Sequence, residues 1–382
     1  MQPRTGTLPC LHRPPCPGCP RYGASGIPRS ALARLAALAE AAGLAPPVEV
    51  AAARFGQRVR ARLMVRGRPG SPKVGIFRAG SHDVVDIPGC RVHHPLVNRV
   101  AEATRSAVRS TGTRPYSDHR HAGALRALQV VVERESRTAQ VVLVGNAADP
   151  ALLEPLAGAL GDALGPLLHS LWWNGQPARS NAILGPSWRR WRGPEAVRER
   201  IGGAEVFFPP GAFGQSNLDL ADAIVRRIHE WVPDAARAVD VYAGCGSIGL
   251  GLLGRCASVA FVESAPEALR GLALGIAARA PAERSRARVA AGEAGRVAAA
   301  LLEGVDVAIV DPPRKGLDPP LVDALARAPA AALVYLSCDL ASFEADAAKL
   351  LAGGRLRLAA LEAYDLFPNT RHVETLARFE RV

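Results

Sequence analysis

The sequence predicts an α/β protein of two domains: a mixed α+β domain over 1–205 and a doubly wound, mostly parallel sheet over 206–382. Three observations predict it. A chain of 382 residues exceeds one ordinary core and is long enough to bury two. From about Asn217, apolar strands alternate strictly with helices, the pattern of βαβ units whose parallel sheet is covered on both faces. Before that point the strand-like stretches follow one another as antiparallel neighbours do.

The first twenty-odd residues are rich in Pro and Cys and lack hydrophobic periodicity, so they need something other than a core, such as a metal centre, to order them. A helix over 30–42 is stopped by Gly43 and the Pro46-Pro47 pair. Alternating stretches at 57–65, 74–78 and 83–87 read as an antiparallel sheet. A helix from 95 to about 110, strands over 125–133 and 140–144, and a helix over 152–164 complete the first half. In the second half the order is helix 218–232, strand 238–242, helix 248–253, strand 258–263 and helix 266–278. Strands follow around Val289 and at 305–310 and 332–337. The final stretches, 356–363 and 373–379, are joined by a loop too short for a right-handed crossover and therefore run antiparallel. Seven strands make up this second sheet.

The formal net charge is +12, and only three basic residues are lysines: Lys73, Lys315 and Lys349. Arginine-rich positive charge suits phosphate, through bidentate hydrogen bonds and stacking, although a GC-rich codon bias would produce the same arginines. No apolar run approaches the roughly 18 residues that span a bilayer, and the N-terminus has no hydrophobic signal core. A cytoplasmic protein with no membrane association is expected. Seven cysteines, an odd number, without an export signal argue for metal or catalytic use rather than a disulfide framework.

The stretch Asp240-Val-Tyr242-Ala-Gly244-Cys-Gly246-Ser-Ile-Gly249 lies between a strand and its helix, where glycines let the backbone pass close under a ligand. Glu263 ends the next strand, where a carboxylate accepts hydrogen bonds from both ribose hydroxyls of an adenosine. Those features alone fit NAD nearly as well as other nucleosides. Asp311-Pro-Pro-Arg314-Lys-Gly316 follows the fourth strand and places a carboxylate at the active rim. Enzymes that methylate exocyclic amines commonly carry an aromatic residue after such a Pro-Pro; Arg314 in that place disfavours an amine and leaves a nucleophile that needs separate activation.

Cys338, at the end of the fifth strand, supplies that activation if its sulfur attacks C6 of a pyrimidine, because the resulting enolate makes C5 nucleophilic. The C5 proton must then leave to a general base before the thiol is expelled, and Glu374 is the available carboxylate. A lone cysteine at a strand end is more often an inert core residue; the company of Asp311 and Glu374 argues for chemistry.

The segments 213–217 (Phe-Gly-Gln-Ser-Asn), 240–249, 311–316, 337–339 (Ser-Cys-Asp) and 367–374 together resemble the RNA 5-methyluridine methyltransferase family, in its order and spacing. They cover the chain from Phe213 almost to its end. The resemblance implies a Rossmann-like, seven-stranded methyltransferase domain that uses S-adenosylmethionine. It makes Cys338 the nucleophile and Glu374 the base, and it lines the donor site with Gln215, Tyr242, Gly244 and Glu263, with Asp311 contacting substrate or cofactor. The chain departs from the family pattern at Asp339-Leu340, where Asn-Pro is usual, and at Ala345-Asp346, where Arg-Asp is usual. It departs again at Gly275, Glu293 and Gly214.

Cys10, Cys16 and Cys19, spaced Cys-x5-Cys-x2-Cys, can share one centre, and Cys90 is the other cysteine of the first half. Four thiolates suit zinc or an iron-sulfur cluster equally by spacing. The resemblance favours a [4Fe-4S] cluster, since relatives that modify ribosomal RNA carry this arrangement and those that modify transfer RNA generally lack it. A structural staple is the simpler role for it, ahead of a redox one. Cys245 and Cys256 read as packing residues, and His93 and His94 as RNA-facing or surface groups.

Trp172-Trp173 and the run Trp188-Arg189-Arg190-Trp191-Arg192 interleave rings with guanidiniums, a pattern for stacking bases that equally fits buried tryptophans beside solvated arginines. The sequence begins almost at the cysteine cluster, so no separate N-terminal RNA-binding barrel is expected. The expectation is an RNA uracil-C5 methyltransferase with 23S ribosomal RNA favoured over transfer RNA and no obligate protein partner. Its rivals are a transfer-RNA enzyme and a non-catalytic RNA-binding iron-sulfur protein.

Overall fold

The structure, a computed structural model, describes residues 9–24 and 26–382. They form two compact units, one from 9–24 and 53–197, the other from 26–52 and 198–382. Segment 26–52, expected with the first half, therefore belongs with the second. Helix α1 (Arg29–Ala41) buries Ala31, Leu35 and Ala39, a stripe with a spacing of four, in the same core as Leu350 and Leu358. Strand β1 (Glu49–Val50) then pairs in parallel with Ala363 and Tyr364. Two residues are too few to show a strand period, so this addition has no local signature.

The first unit carries β2 (Arg60–Arg68), β3 (Ser71–Phe77), β4 (Val84–Asp86), helix α2 (Pro95–Thr111), β5 (Leu125–Glu133), β6 (Thr138–Gly145), helix α3 (Glu154–Leu164), β7 (Leu168–Gly175) and β8 (Ser187–Arg192). The sheet order is β4-β3-β2-β5-β6-β7-β8. Neighbours are antiparallel except β6 and β7, which the α3 crossover makes parallel. Helix α2 starts where His94 Nδ1 accepts from Leu96 N at 3.2 Å and stops at Gly112, whose left-handed φ of 65° ends the helix. Trp172 and Trp173, on the unforeseen β7, are buried in the core and are not exposed platforms for bases. His93 is also buried, and burial first, then Arg58, brings it down to about 4; it is not a surface group.

The second unit opens with a hairpin of β9 (Val197–Ile201) and β10 (Ala204–Phe208) turning at Gly202-Gly203, followed by α4 (Leu218–Trp231). The alternating series is β11 (Arg237–Val241), α5 (Gly249–Leu252), β12 (Ser258–Glu263), α6 (Pro266–Ala277), α7 (Pro281–Arg284), β13 (Ala287–Ala291), α8 (Ala294–Leu301), β14 (Val307–Val310), α9 (Pro319–Arg327), β15 (Ala332–Ser337) and α10 (Leu340–Ala352). Strands β16 (Leu356–Tyr364) and β17 (Glu374–Arg381) close it as an antiparallel pair. The sheet order is β1-β16-β17-β15-β14-β11-β12-β13. It holds eight strands rather than seven because β1 adds to the β16 edge. The chain runs outward from β11 through β12 to β13, then returns to β14 on the other side of β11, so the strand order reverses between β11 and β14. Open sheets of this kind bind ligands at that reversal, beyond the C-terminal strand ends. Among the described residues no helix is long and apolar enough to cross a membrane.

Candidate active site

Everything at the rim follows from what each strand delivers as it ends. After β11, Tyr242 takes a left-handed φ of 63°, uncommon for a large side chain and characteristic of constrained functional turns. Gly244 follows with φ 57°, and a Cβ there would meet open space. The backbone is therefore bare on the side where a ligand passes. Gly246, at φ 84°, is needed for a different reason: a Cβ would lie 2.7 Å from Leu272. Glu263 ends β12 and accepts from Gly244 N at 2.8 Å and from Ser264 N and Ala265 N at 2.6 and 2.7 Å. Three amides hold its carboxylate at the end of the strand, and a carboxylate has further lone pairs to offer hydroxyl groups.

Tyr242 and Glu263 line a cavity of about 470 Å3 with residues 292–296, which lead into α8, and Pro313, a size that suits a small-molecule cofactor. Asp318, unremarked in the sequence, ties its walls together. Its backbone N–H donates to the Tyr242 hydroxyl at 3.1 Å, its Oδ2 accepts from Gly295 N at 3.3 Å, and its Oδ1 accepts from Lys315 Nζ at 2.7 Å. In sequence, an Asp before Pro-Pro reads as a helix start, and nothing local separates a helix start from a pocket wall. Glu293 lines the same cavity, whereas Gln215, half-buried in the loop before α4, does not. The donor set of backbone-held carboxylate, bare glycine turn and tyrosine fits an adenosine-bearing ligand.

The second group lies at the ends of β14, β15 and β17. Asp311 follows β14, its N–H donating to Val241 O at 3.3 Å. Burial pushes its carboxyl up to about 7. Strands β15 and β17 run antiparallel with Ser337 opposite Thr375, so the next residue on each side sets Cys338 beside Glu374. Glu374 is 0% exposed, and among the described residues neither carboxylate oxygen has a hydrogen-bond partner. Burial, and then the nearby Asp311 charge, hold its carboxyl well above the usual range. Cys338 is half-buried; burial first, then Glu374 and Asp311, push its thiol up to about 11, while Arg314 opposes them.

A buried carboxylate without a partner costs several kcal/mol, so it marks a place where a ligand or a proton is expected. Beside it stands a thiol that rests protonated. The pair can act as nucleophile and base, provided that the substrate's arrival changes the local charge.

Two of the departures from the family pattern have local explanations. Asp339 caps α10, accepting from Ser342 N at 3.0 Å, a task that Asp performs as well as Asn. Asp346, buried on α10, accepts from Tyr335 Oη at 2.7 Å and Leu317 N at 2.8 Å. It thereby anchors the 311–318 turn to β15.

In the first unit, Cys16 and Cys19 lie near enough to Cys10 and Cys90 for the thiols to affect one another. Burial first, then Cys90, push Cys19 up to about 11, and burial also raises Cys16. Among the described residues no three His, Cys, Asp or Glu side chains are gathered tightly enough to hold one metal ion. Cys245 and Cys256 are buried in the second unit.

The fold and rim define a Rossmann-like methyltransferase domain. Comparison with known proteins narrows the class. The family described as tRNA (Uracil-5-)-methyltransferase matches residues 279–382. An uncharacterized RNA methyltransferase of Protochlamydia amoebophila is 34% identical, over 85% of this chain and 86% of its own. One from Gloeobacter violaceus is 30% identical, over 92% and 76%. Pyrococcus abyssi tRNA (uracil-54, C5)-methyltransferase, in complex with S-adenosyl-L-homocysteine, is similar in fold. Its TM-score is 0.75 at 24% identity, covering 91% of this chain and 81% of that one. The chain belongs to the RNA 5-methyluridine methyltransferase family.

Proposed function

We propose that this protein methylates C5 of a uridine in RNA through a covalent adduct between Cys338 and C6, with Glu374 as the base. The observation that carries the reading is the juxtaposition of a half-buried thiol and a fully buried, unpartnered carboxylate at adjoining strand ends. Cys338 sulfur bonds to C6 of the uracil, and its proton passes to Asp311, whose buried carboxyl, pushed up to about 7, can hold it and later return it to the released sulfur, leaving Glu374 free for the C5 proton. The electron pair displaced from the C5–C6 double bond makes C5 the nucleophile. S-adenosylmethionine, held by Glu263, Tyr242 and the Gly244 turn, would supply the electrophilic methyl group when bound. Glu374 then removes the C5 proton, and the C6–S bond breaks to restore the double bond and release the thiol. Asp311, which follows β14 next to β15 in the sheet, orients substrate or donor. A paired uridine cannot present C6 to a thiol, so the target is looped or flipped out.

The ribosomal 23S RNA is the favoured substrate, because Cys10, Cys16, Cys19 and Cys90 keep the arrangement found in relatives that act on it. Those four thiols, partly buried and within electrostatic reach of one another though not gathered on one ion, would hold a [4Fe-4S] cluster that staples the Pro-rich N-terminal segment. Anaerobic purification followed by iron and acid-labile sulfide analysis tests this: four of each per chain in the wild type, lost in Cys19→Ser, are expected, and an iron-free, folded wild type refutes it.

The reaction is tested with 5-fluorouridine-substituted 23S RNA and S-adenosylmethionine on a denaturing gel, since fluorine cannot leave C5 as a proton does. A trapped complex in wild type and none with Cys338→Ala is expected. A complex with the alanine variant, or methylation by it, would remove Cys338 from the mechanism; trapping on transfer RNA alone would move the substrate.

A further inference from the structure

The first unit contains a cavity of about 830 Å3 that methyl transfer does not use. Its floor is electrically settled. Arg66 is largely buried and pairs with Asp118 at 2.6 Å, with its guanidinium over the rings of Tyr116 and Phe77 at 4.9 and 5.5 Å. Asp86 is held by Arg105 at 2.7 Å.

The rim is not settled. Lys73, Arg78 and Arg120 line it and are exposed, and among the described residues their charged groups have no ion-pair or hydrogen-bond partner. One unpaired acid, Asp83, stands among them. Three long cations on two separate segments, the β3 end and the 112–124 loop, repel one another unless an anion with several charges lies between them. His82, also on the rim, is largely exposed; its Nδ1 lies 3.4 Å from Asp118 Oδ1 and its ring meets Phe77 with centroids 5.3 Å apart, so an oriented imidazole ring is presented at the same opening.

We propose that this cavity is a second RNA site, which takes a single-stranded stretch of the substrate with successive phosphates on Lys73, Arg78 and Arg120 and a base on His82. Spread cations with an aromatic ring between them are how proteins track single strands, whereas a small phosphate ligand would call for converging buried donors. The inference rests on the reading of RNA as substrate and adds to it where the strand is held.

Binding of the full-length protein to 23S RNA, measured by filter retention between about 50 and 300 mM salt, over which the Debye length falls from about 14 to about 6 Å, tests it. Each phosphate contact on a single strand contributes about 0.7 to the salt slope. The triple variant Lys73→Ala, Arg78→Ala, Arg120→Ala should therefore lose about 2 from the slope and roughly 50-fold in affinity at 0.15 M. Its S-adenosylmethionine affinity, by calorimetry, should be unchanged. His82→Ala should weaken binding at every salt concentration with the slope kept.

A triple variant with wild-type affinity and slope, in a protein that methylates RNA, overturns the inference. A wild type that methylates no RNA, yet loses salt-dependent binding in the triple variant, overturns the catalytic reading and leaves this site standing. Weaker S-adenosylmethionine binding in the triple variant would trace the loss to general damage and count against the site.

Discussion

Glu374→Gln separates the two halves of the proposed chemistry, because it keeps the side chain's shape while removing its charge and its basicity. The Cys338 thiol, at about 11, leaves roughly one molecule in a thousand as thiolate at pH 8. Directly opposed cross-strand side chains stand about 5 Å apart, and two unit charges at that distance interact by about 3 kcal/mol at an effective dielectric constant near 20. That figure is an upper limit here. Burial, and then Asp311, favour the protonated, uncharged form of Glu374, and the half-exposed thiol is screened by water. A tenfold rise in thiolate, about 1.4 kcal/mol, is the working expectation.

The assay is iodoacetamide labelling of the Cys338-containing peptide, followed by mass spectrometry from pH 6 to 10.5. The variant should label about ten times faster at pH 8 than the wild type, with its profile displaced to lower pH. With S-adenosylmethionine and natural RNA, the same variant should form the covalent adduct and release it slowly, so that protein-bound RNA accumulates on a denaturing gel. An unchanged or slower labelling rate would refute the electrostatic coupling of Glu374 to Cys338, and rapid turnover would refute the base assignment.

Two further outcomes follow from burial. Leu35→Ala removes a side chain that is 0% exposed in the second unit's core and should cost about 2–5 kcal/mol, seen as a lowered melting temperature of the unit that carries Cys338; a near-zero change would place α1 outside that core. Asp311 is raised to about 7 from an ordinary 3.8, so the folded state holds its proton more tightly and the stability this lends is lost as pH rises from about 4 to about 7. Asp311→Asn should therefore melt higher than wild type at pH 8, with the gain shrinking toward pH 4 while methyl transfer is lost; a gain that does not vary with pH would contradict the burial of this carboxyl.

Local pattern was a good guide wherever the period and its boundaries were local. Strands β12 and β15 were read to the residue, because each is an apolar run closed at its end by Glu263 or Ser337. The β16–β17 pair was legible from the shortness of its connection. The β9–β10 hairpin went unread although Gly202-Gly203 marks its turn and its strands alternate cleanly. Strand β7 was masked by a competing reading: Trp172 and Trp173 among arginines resemble a stacking surface, and only the neighbouring β6 and β8 decide that they are core. His93 was misjudged for the same reason, since its neighbours in sequence are polar and its neighbours in space are not.

What the sequence by itself determined is the alternation of elements over 217–382 and the kinds of group that end them: a glycine turn after β11, acids after β12 and β14, a thiol after β15. Those are local matters of side-chain period and turn chemistry. Tertiary structure alone decided that Cys338 faces Glu374, that Glu374 is stripped of water and partners, that Asp318 joins three walls of one cavity, and that 26–52 extends the catalytic sheet. Register and desolvation depend on segments distant in the chain, and no local pattern encodes the company that a side chain keeps once strands have paired.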